Sequence, residues 1–252
     1  MAASGLAVAA ALALVALLYA SVGHAGASGY IAVLALAGLP AAGIRPLALI
    51  LNTAVAAVGC WSFLRDGHWP GPRFWPVYGL AVPAAFLGGA LNLPLPWLQR
   101  LVGGVLLASA WWLIRQPQEP EVVRAPRPAV LAVSGAALGL LAGLTGTGGG
   151  VFLSPLLLLA RWCRTRQAAA LSALFILLNS LAGLAGLLLT RPARVEAVLL
   201  QPHFWLWLAV VFPAGALGAR LGSRHWPVAW IRRCLALVLL LAGFKLLGLS
   251  VG

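Results

Sequence analysis

Gly146-Thr147-Gly148-Gly149-Gly150 interrupts a wholly apolar stretch, with residues 129–145 before it and 151–160 after it. The leading run is close to the roughly 20 residues that cross a bilayer, whereas the trailing piece is too short to cross comfortably. A glycine cluster frees the backbone from helical geometry. Inside a membrane the N–H and C=O groups so released persist only where protein or a water-filled cavity surrounds them. The stretch therefore predicts a helix broken within a membrane protein. Gly23-His24-Ala25-Gly26-Ala27-Ser28-Gly29 repeats the arrangement between the runs 4–22 and 29–39.

Working outward, two matching halves emerge. Each break and its short apolar piece is followed by a long apolar run with an asparagine near its middle, Asn52 in 44–64 and Asn179 in 167–190. Next comes a run with an internal proline and a stripe of small residues, Pro83 to Gly89 in 74–91 and Pro213 to Ala219 in 203–221. Each half closes with an apolar run after an arginine, Arg100 before 114 and Arg233 before 249. Between them lies the most polar segment, Arg115-Gln-Pro-Gln-Glu-Pro-Glu-Val-Val-Arg-Ala-Pro-Arg-Pro128, whose prolines prevent a continuous helix. The expected organisation is a first membrane repeat over 1–114, a cytoplasmic linker over 115–128 and a second repeat over 129–252. The expected fold class is an all-α polytopic membrane protein. Each repeat opens with a Gly-broken helix, re-entrant or a pair of short helices, followed by three transmembrane helices.

Composition agrees. Of 252 residues, 62% are hydrophobic and only 8% charged, with mean hydropathy +1.00. A soluble domain keeps about a quarter of its residues charged, so lipid must cover most of this surface. The net charge of +13 does not indicate nucleic acid, because the basic residues fill short gaps between apolar runs rather than one soluble face. The first run, Gly5 to Ala20, has no basic residue before it and reads as a membrane helix, not a signal peptide. Cys60, Cys163 and Cys234 stand apart and form neither a metal cluster nor a CxxC pair, so no metal or other cofactor is expected. Tryptophans such as Trp61, Trp75, Trp111, Trp205 and Trp230 gather at run ends, as an aromatic belt does.

Cytoplasmic loops carry excess Lys and Arg, which orients the chain. If each broken segment crossed once, the basic residues would divide evenly. If each returns to its starting face, twelve fall on one side and five, Arg45, Arg100, Arg191, Arg194 and Lys245, on the other. The second arrangement predicts inverted halves in a cell inner membrane, with both termini on the outer, periplasmic side.

The candidate site follows from the breaks. A short helix beginning at a break offers free N–H groups and the positive end of its dipole, which suits an anion. Paired interrupted segments in two halves point to the central site of a transporter. The candidate substrate-binding residues are Gly23, His24, Gly26, Ala27, Ser28 and Gly29 in the first break, Gly146, Thr147, Gly148, Gly149, Gly150 and Val151 in the second, and Asn52 and Asn179. Glycines alone equally serve close helix packing, and a mid-helix asparagine equally serves a helix–helix hydrogen bond. Thr53 and Ser180, next to the asparagines, are weaker candidates. His24 is a candidate for anion contact or a coupled proton, or a neutral histidine held by local backbone. His68, His203 and His225 read as interfacial. Asp66, Glu119, Glu121 and Glu196 all fall outside the apolar runs, which argues against a cation pump and fits an anionic passenger. Gly26-Ala27-Ser28-Gly29 also matches the GxSG around the nucleophile of rhomboid intramembrane proteases, a reading that needs a histidine on a neighbouring helix to activate Ser28.

Gly146-Thr-Gly-Gly-Gly-Val-Phe-Leu-Ser-Pro155-Leu-Leu-Leu-Leu resembles the signature of the sulfite exporter TauE/SafE family. The Asn179 helix and Pro213-Ala-Gly-Ala-Leu-Gly218-Ala-Arg-Leu-Gly222 resemble it too, and the likeness extends over nearly the whole chain. The first break departs from the pattern by adding His24 and Ser28 among fewer glycines. The resemblance implies a secondary transporter that exports sulfite, sulfonates or related small anions from the inner membrane. It implies that the two Gly-rich segments and their asparagines line the route. Uniport, proton coupling through His24 and an anion channel all remain open.

Overall fold

The computed structural model describes residues 2–91, 96–115, 119 and 122–248, so linker residues 116–118, 120 and 121 lie outside the described residues. Those described are helical with no strand. The helices are α1 (Ala2–Ser21), α2 (Ala27–Leu36), α3 (Ala41–Arg65), α4 (Trp75–Ala90), α5 (Pro96–Arg115), α6 (Pro128–Thr145), α7 (Gly150–Leu159), α8 (Thr165–Thr190), α9 (Pro192–Leu199), α10 (Phe204–Arg220) and α11 (Val228–Leu246). Four helical stretches are long and apolar enough to cross a membrane: Ala42–Arg65, Pro128–Thr145, Thr165–Thr190 and Phe204–His225. The sequence reading expects eight such runs. Gly5–Ser21, Ala27–Leu36, Leu106–Arg115 and Gly150–Leu159 are shorter apolar stretches. The 16-residue α4 rises only about 24 Å, and α11 carries Arg232, Arg233 and Lys245.

Both breaks fall where glycine clusters predict them, because each needs backbone that L-residues rarely adopt. Gly26 caps α2 at φ 99° and Gly149 caps α7 at φ 81°. Each broken segment folds back to the end of the bundle at which it began. The linker donates Arg124 N–H to the Arg161 carbonyl (2.8 Å), and Glu119 Oε1 accepts from Thr165 N–H (2.7 Å). The outer ends of α6 and α7 therefore meet. In the first half, Gly5 abuts His203 while Gly43 near the start of α3 abuts Gln201, so α1 and α3 begin at one end.

Packing interleaves the halves. α6 runs beside α4 in the same direction, with Gly135, Gly139 and Gly143 pressed on the carbonyls of Val77, Ala81 and Ala85. α10 runs the same way beside α1, Gly218 on the Leu17 carbonyl and Gly222 on that of Ser21. Lipid removes the hydrophobic incentive for helices to associate, so backbone-to-backbone van der Waals packing carries these pairs. A Cβ at any of these glycines would strike a carbonyl. The asparagine helices cross the centre in opposite directions, with Leu49 beside Gly183, Asn52 beside Ser180 and Gly59 beside Ala173. α5 and α11 also run oppositely, from Gly103 beside Gly243 to Trp112 under Arg232. The outside of the bundle is apolar, including exposed Leu189, Leu200 and Phe212, with Trp61, Trp75, Trp205 and Trp230 exposed near helix ends.

Besides a 3-10 turn at Pro72–Phe74, two elements absent from the sequence reading bear on the packing. α9 lies between expected spans; it buries Val195 and Val198 while Arg194 and Glu196 face outward. α10 ends in a π-helical turn, Leu221–His225, which brings Gly222 onto the last residue of α1. Such turns insert a residue into a helix and recur at functional sites.

Candidate functional site

The first break starts at Gly23 (φ 76°), whose hydrogen-only side lies on the Ala169 backbone. His24 is 4% exposed and reaches across to the second half, where its Nε2 shares a hydrogen bond with Ser154 Oγ on α7 (2.8 Å). Ser154 Oγ meets Ser172 Oγ on α8 (2.7 Å), and His24 Nδ1 has no partner. The first N–H groups of a helix have no intrahelical acceptor. That of Ala27 donates to Asn52 Oδ1 (3.1 Å) and that of Tyr30 to the Gly26 carbonyl (2.9 Å). The N–H groups of Ser28 and Gly29 remain for another acceptor.

The second break also meets the first through Asn52. Asn52 Nδ2 donates to Ser180 Oγ (2.8 Å), and Gly148 (φ 72°) lies on both of those groups. Gly150 abuts Ile176 and Gly149 abuts Phe175. Phe152 and Leu153 N–H both donate to the Gly149 carbonyl, leaving the N–H groups of Gly150 and Val151 in the first turn of α7. Thr147 shares a hydrogen bond with Thr145 (2.8 Å) and is half-buried, and Gly146 (φ 71°) rests on the stem of Arg45. Asn179 is one turn beyond Phe175 and Ile176, on the face of α8 that meets the break. It is 1% exposed, and neither its Nδ2 nor its Oδ1 has a partner. The structure thus gathers the two breaks and Asn52 into one cluster, with Asn179 beside the second break.

The whole length of the chain carries this arrangement, and comparison with known proteins accounts for it. Residues 8–246 match the model of the sulfite exporter TauE/SafE family. The chain belongs to that family. It is 38% identical over 240 residues to a probable membrane transporter protein, y4hK, of Sinorhizobium fredii (strain NBRC 101917 / NGR234), covering 92% of this chain and 94% of that one. No solved structure matches. This TauE/SafE member is accordingly a membrane protein of a transporter family.

Several residues of the family member differ in place from the sequence reading. The two asparagines are not equivalent: Asn52 has a partner at both Oδ1 and Nδ2, and Asn179 at neither. Ser180, a weaker candidate, touches Gly148, whereas Thr53 bonds back to the Leu49 carbonyl of its own helix. Ser28 Oγ pairs with Tyr19 Oη (3.0 Å) while His24 pairs with Ser154, so the serine and histidine form no nucleophile–base couple. His68 Nε2 bonds the Ser223 carbonyl at the end of α10.

Two cations counted as face charges turn inward. Arg45 Nη2 donates to the Gly88 and Gly89 carbonyls (3.0 and 3.2 Å) and to that of Gly143, joining the last turns of α4 and α6 beside Gly146. Those carbonyls end their helices without intrahelical partners, and a cation there also meets two negative dipole ends. Lys245 Nζ donates to the Ser28 carbonyl (2.8 Å). A basic residue within an apolar run is the signal by which the sequence marks both.

Proposed function

We propose that this protein is a secondary transporter exporting a small anion, such as sulfite or an organosulfonate, from the cytoplasm across the inner membrane. The observation that carries the reading is the unpartnered amide of Asn179, buried beside a glycine turn that opens the N-terminus of α7. A buried amide without partners costs about 1–3 kcal/mol per unpaired group, a cost that an arriving oxyanion offsets by accepting from Nδ2. Backbone N–H groups of Ser28, Gly29, Gly150 and Val151 supply further donors near midplane. No carboxylate of the described residues stands in either break to repel an anion.

The repeats 1–114 and 129–252, joined by the linker 115–128, act as inverted halves in this reading. The opposed directions of α3 and α8 support the inversion, and the uneven division of basic residues supports termini on the periplasmic side. Exposure of the site alternates as one broken hairpin and its partners rock against the other. His24, which couples the first break to α7, is the group through which a proton enters the cycle if transport is coupled.

Uptake into proteoliposomes across sulfite, sulfonates, sulfate and chloride tests the reading. Saturable flux of sulfite or a sulfonate is the expected result. Flux that never saturates makes the pathway a channel, and movement of a cation or neutral solute alone overturns the anion assignment.

A further inference from the structure

Lys245 lies in the last turn of α11. A lysine there ordinarily bonds its own helix's final carbonyls or reaches for water. This one crosses to α2 and donates to the Ser28 carbonyl, and no carboxylate pairs with it among the described residues. Ammonium charge held among apolar helices without a counter-charge is costly and marks a functional position. Beside it opens a cavity of about 560 Å³ between α1, α2 and α11. One end is polar, formed by Lys245, Tyr19, Ser28 and Gly29; the walls are apolar, including Val15, Val33, Leu241 and Phe244.

We propose that this cavity binds an amphiphilic oxyanion, a sulfonate or carboxylate head on a short apolar tail. The head pairs with Lys245 Nζ and takes one hydrogen bond from the bonded Tyr19–Ser28 hydroxyl pair, whose second proton is free. The tail lies along Val33, Leu241 and Phe244. An inorganic oxyanion satisfies the cation but leaves the apolar walls unused, so the cavity favours organic anions over sulfite. The proposal rests on the transport reading for its physiological meaning, because it places the organic substrate against the first break. The binding itself is measurable without transport.

The test is equilibrium binding of methane-, ethane-, propane- and butanesulfonate to purified protein in zwitterionic lipid, alongside sulfite flux. Affinity is expected to rise roughly fourfold per added methylene, the value of a buried CH₂. Lys245→Met should weaken butanesulfonate at least about tenfold, the loss of one charge-assisted contact. Lys245→Arg should keep most of it. Ala32→Trp, which fills the cavity and leaves Lys245 in place, should remove the chain-length dependence. Competition by phosphatidylglycerol in the vesicles that abolishes butanesulfonate binding makes the cavity a lipid site and overturns the proposal. Binding that is independent of chain length, or unchanged in both Lys245→Met and Ala32→Trp, overturns the proposal even if sulfite flux persists. If butanesulfonate binds as expected and no anion moves, the cavity stands and the transport reading fails.

Discussion

The two breaks use one backbone device and load it differently. In the first, Asn52 caps Ala27 N–H and His24 is tied to Ser154. In the second, plain glycine brings the backbone against Asn52 and Ser180, and the matching amide of Asn179 is spent on nothing. A duplicated motif therefore does not imply duplicated roles. Asn52 clamps the two breaks together, and Asn179 is left without a partner. Polar groups in a low-dielectric interior must be paired or costly, so the proposed ligand contact rests on the unpaired member.

The largest test of that difference is Gly148→Ala. Its left-handed φ and the proximity of Asn52 and Ser180 leave no room for a methyl, so a loss of about 3–5 kcal/mol in unfolding and no flux are expected. Gly38→Ala, also at positive φ but with nothing near it, should cost only about 1–2 kcal/mol. Equal losses in the two variants would show that the second break is not specially packed.

The asparagines come next. Asn52→Ala leaves the Ala27 N–H unpaired and should lower stability by about 1–3 kcal/mol. Asn179→Ala deletes an unpaired amide and should change stability by about 1 kcal/mol or less, yet reduce flux about tenfold. Paired unfolding and flux measurements decide; wild-type flux in Asn179→Ala removes the central argument for the site. Ser154→Ala should cost about 1 kcal/mol by freeing His24 Nε2, with its flux altered chiefly in pH dependence if His24 handles a proton. A flux–pH profile identical to wild type removes His24 from coupling.

The smallest effect lies away from both breaks. Asp66 and Arg224 form an ion pair joining the ends of α3 and α10 (2.5 Å). The hydrogen bond from Arg224 lowers the Asp66 carboxyl from 3.8 to about 2. A lowered carboxylate stabilises the fold above its ordinary pKa, and that contribution fades as pH falls from 3.8 towards 2. The melting temperature of Asp66→Asn should sit slightly below wild type at neutral pH and converge with it near pH 2. A gap that persists there excludes the ion pair as its cause.

Much of this was legible in the residues. Glycine runs at 23–29 and 146–150 mark the breaks because positive φ is a local demand that few residues meet. Low charge marks a membrane protein because solvation needs charge. The amphipathic α9 was not legible, because eight residues carry too short a pattern to separate from a loop. The inward bonds of Arg45 and Lys245 were not legible, because a basic residue near a run end reads as a surface group until its partner is known.

The sequence by itself determined the helical membrane class, the duplicated order and the position of each break, since apolar length and backbone stereochemistry are properties of neighbours in the chain. Only the tertiary structure decided that α6 lies on α4, that Asn52 is occupied and Asn179 is not, and that Lys245 faces Ser28. Those are contacts between residues 25 to 217 positions apart, and whether a buried polar group is satisfied depends on what the fold brings beside it.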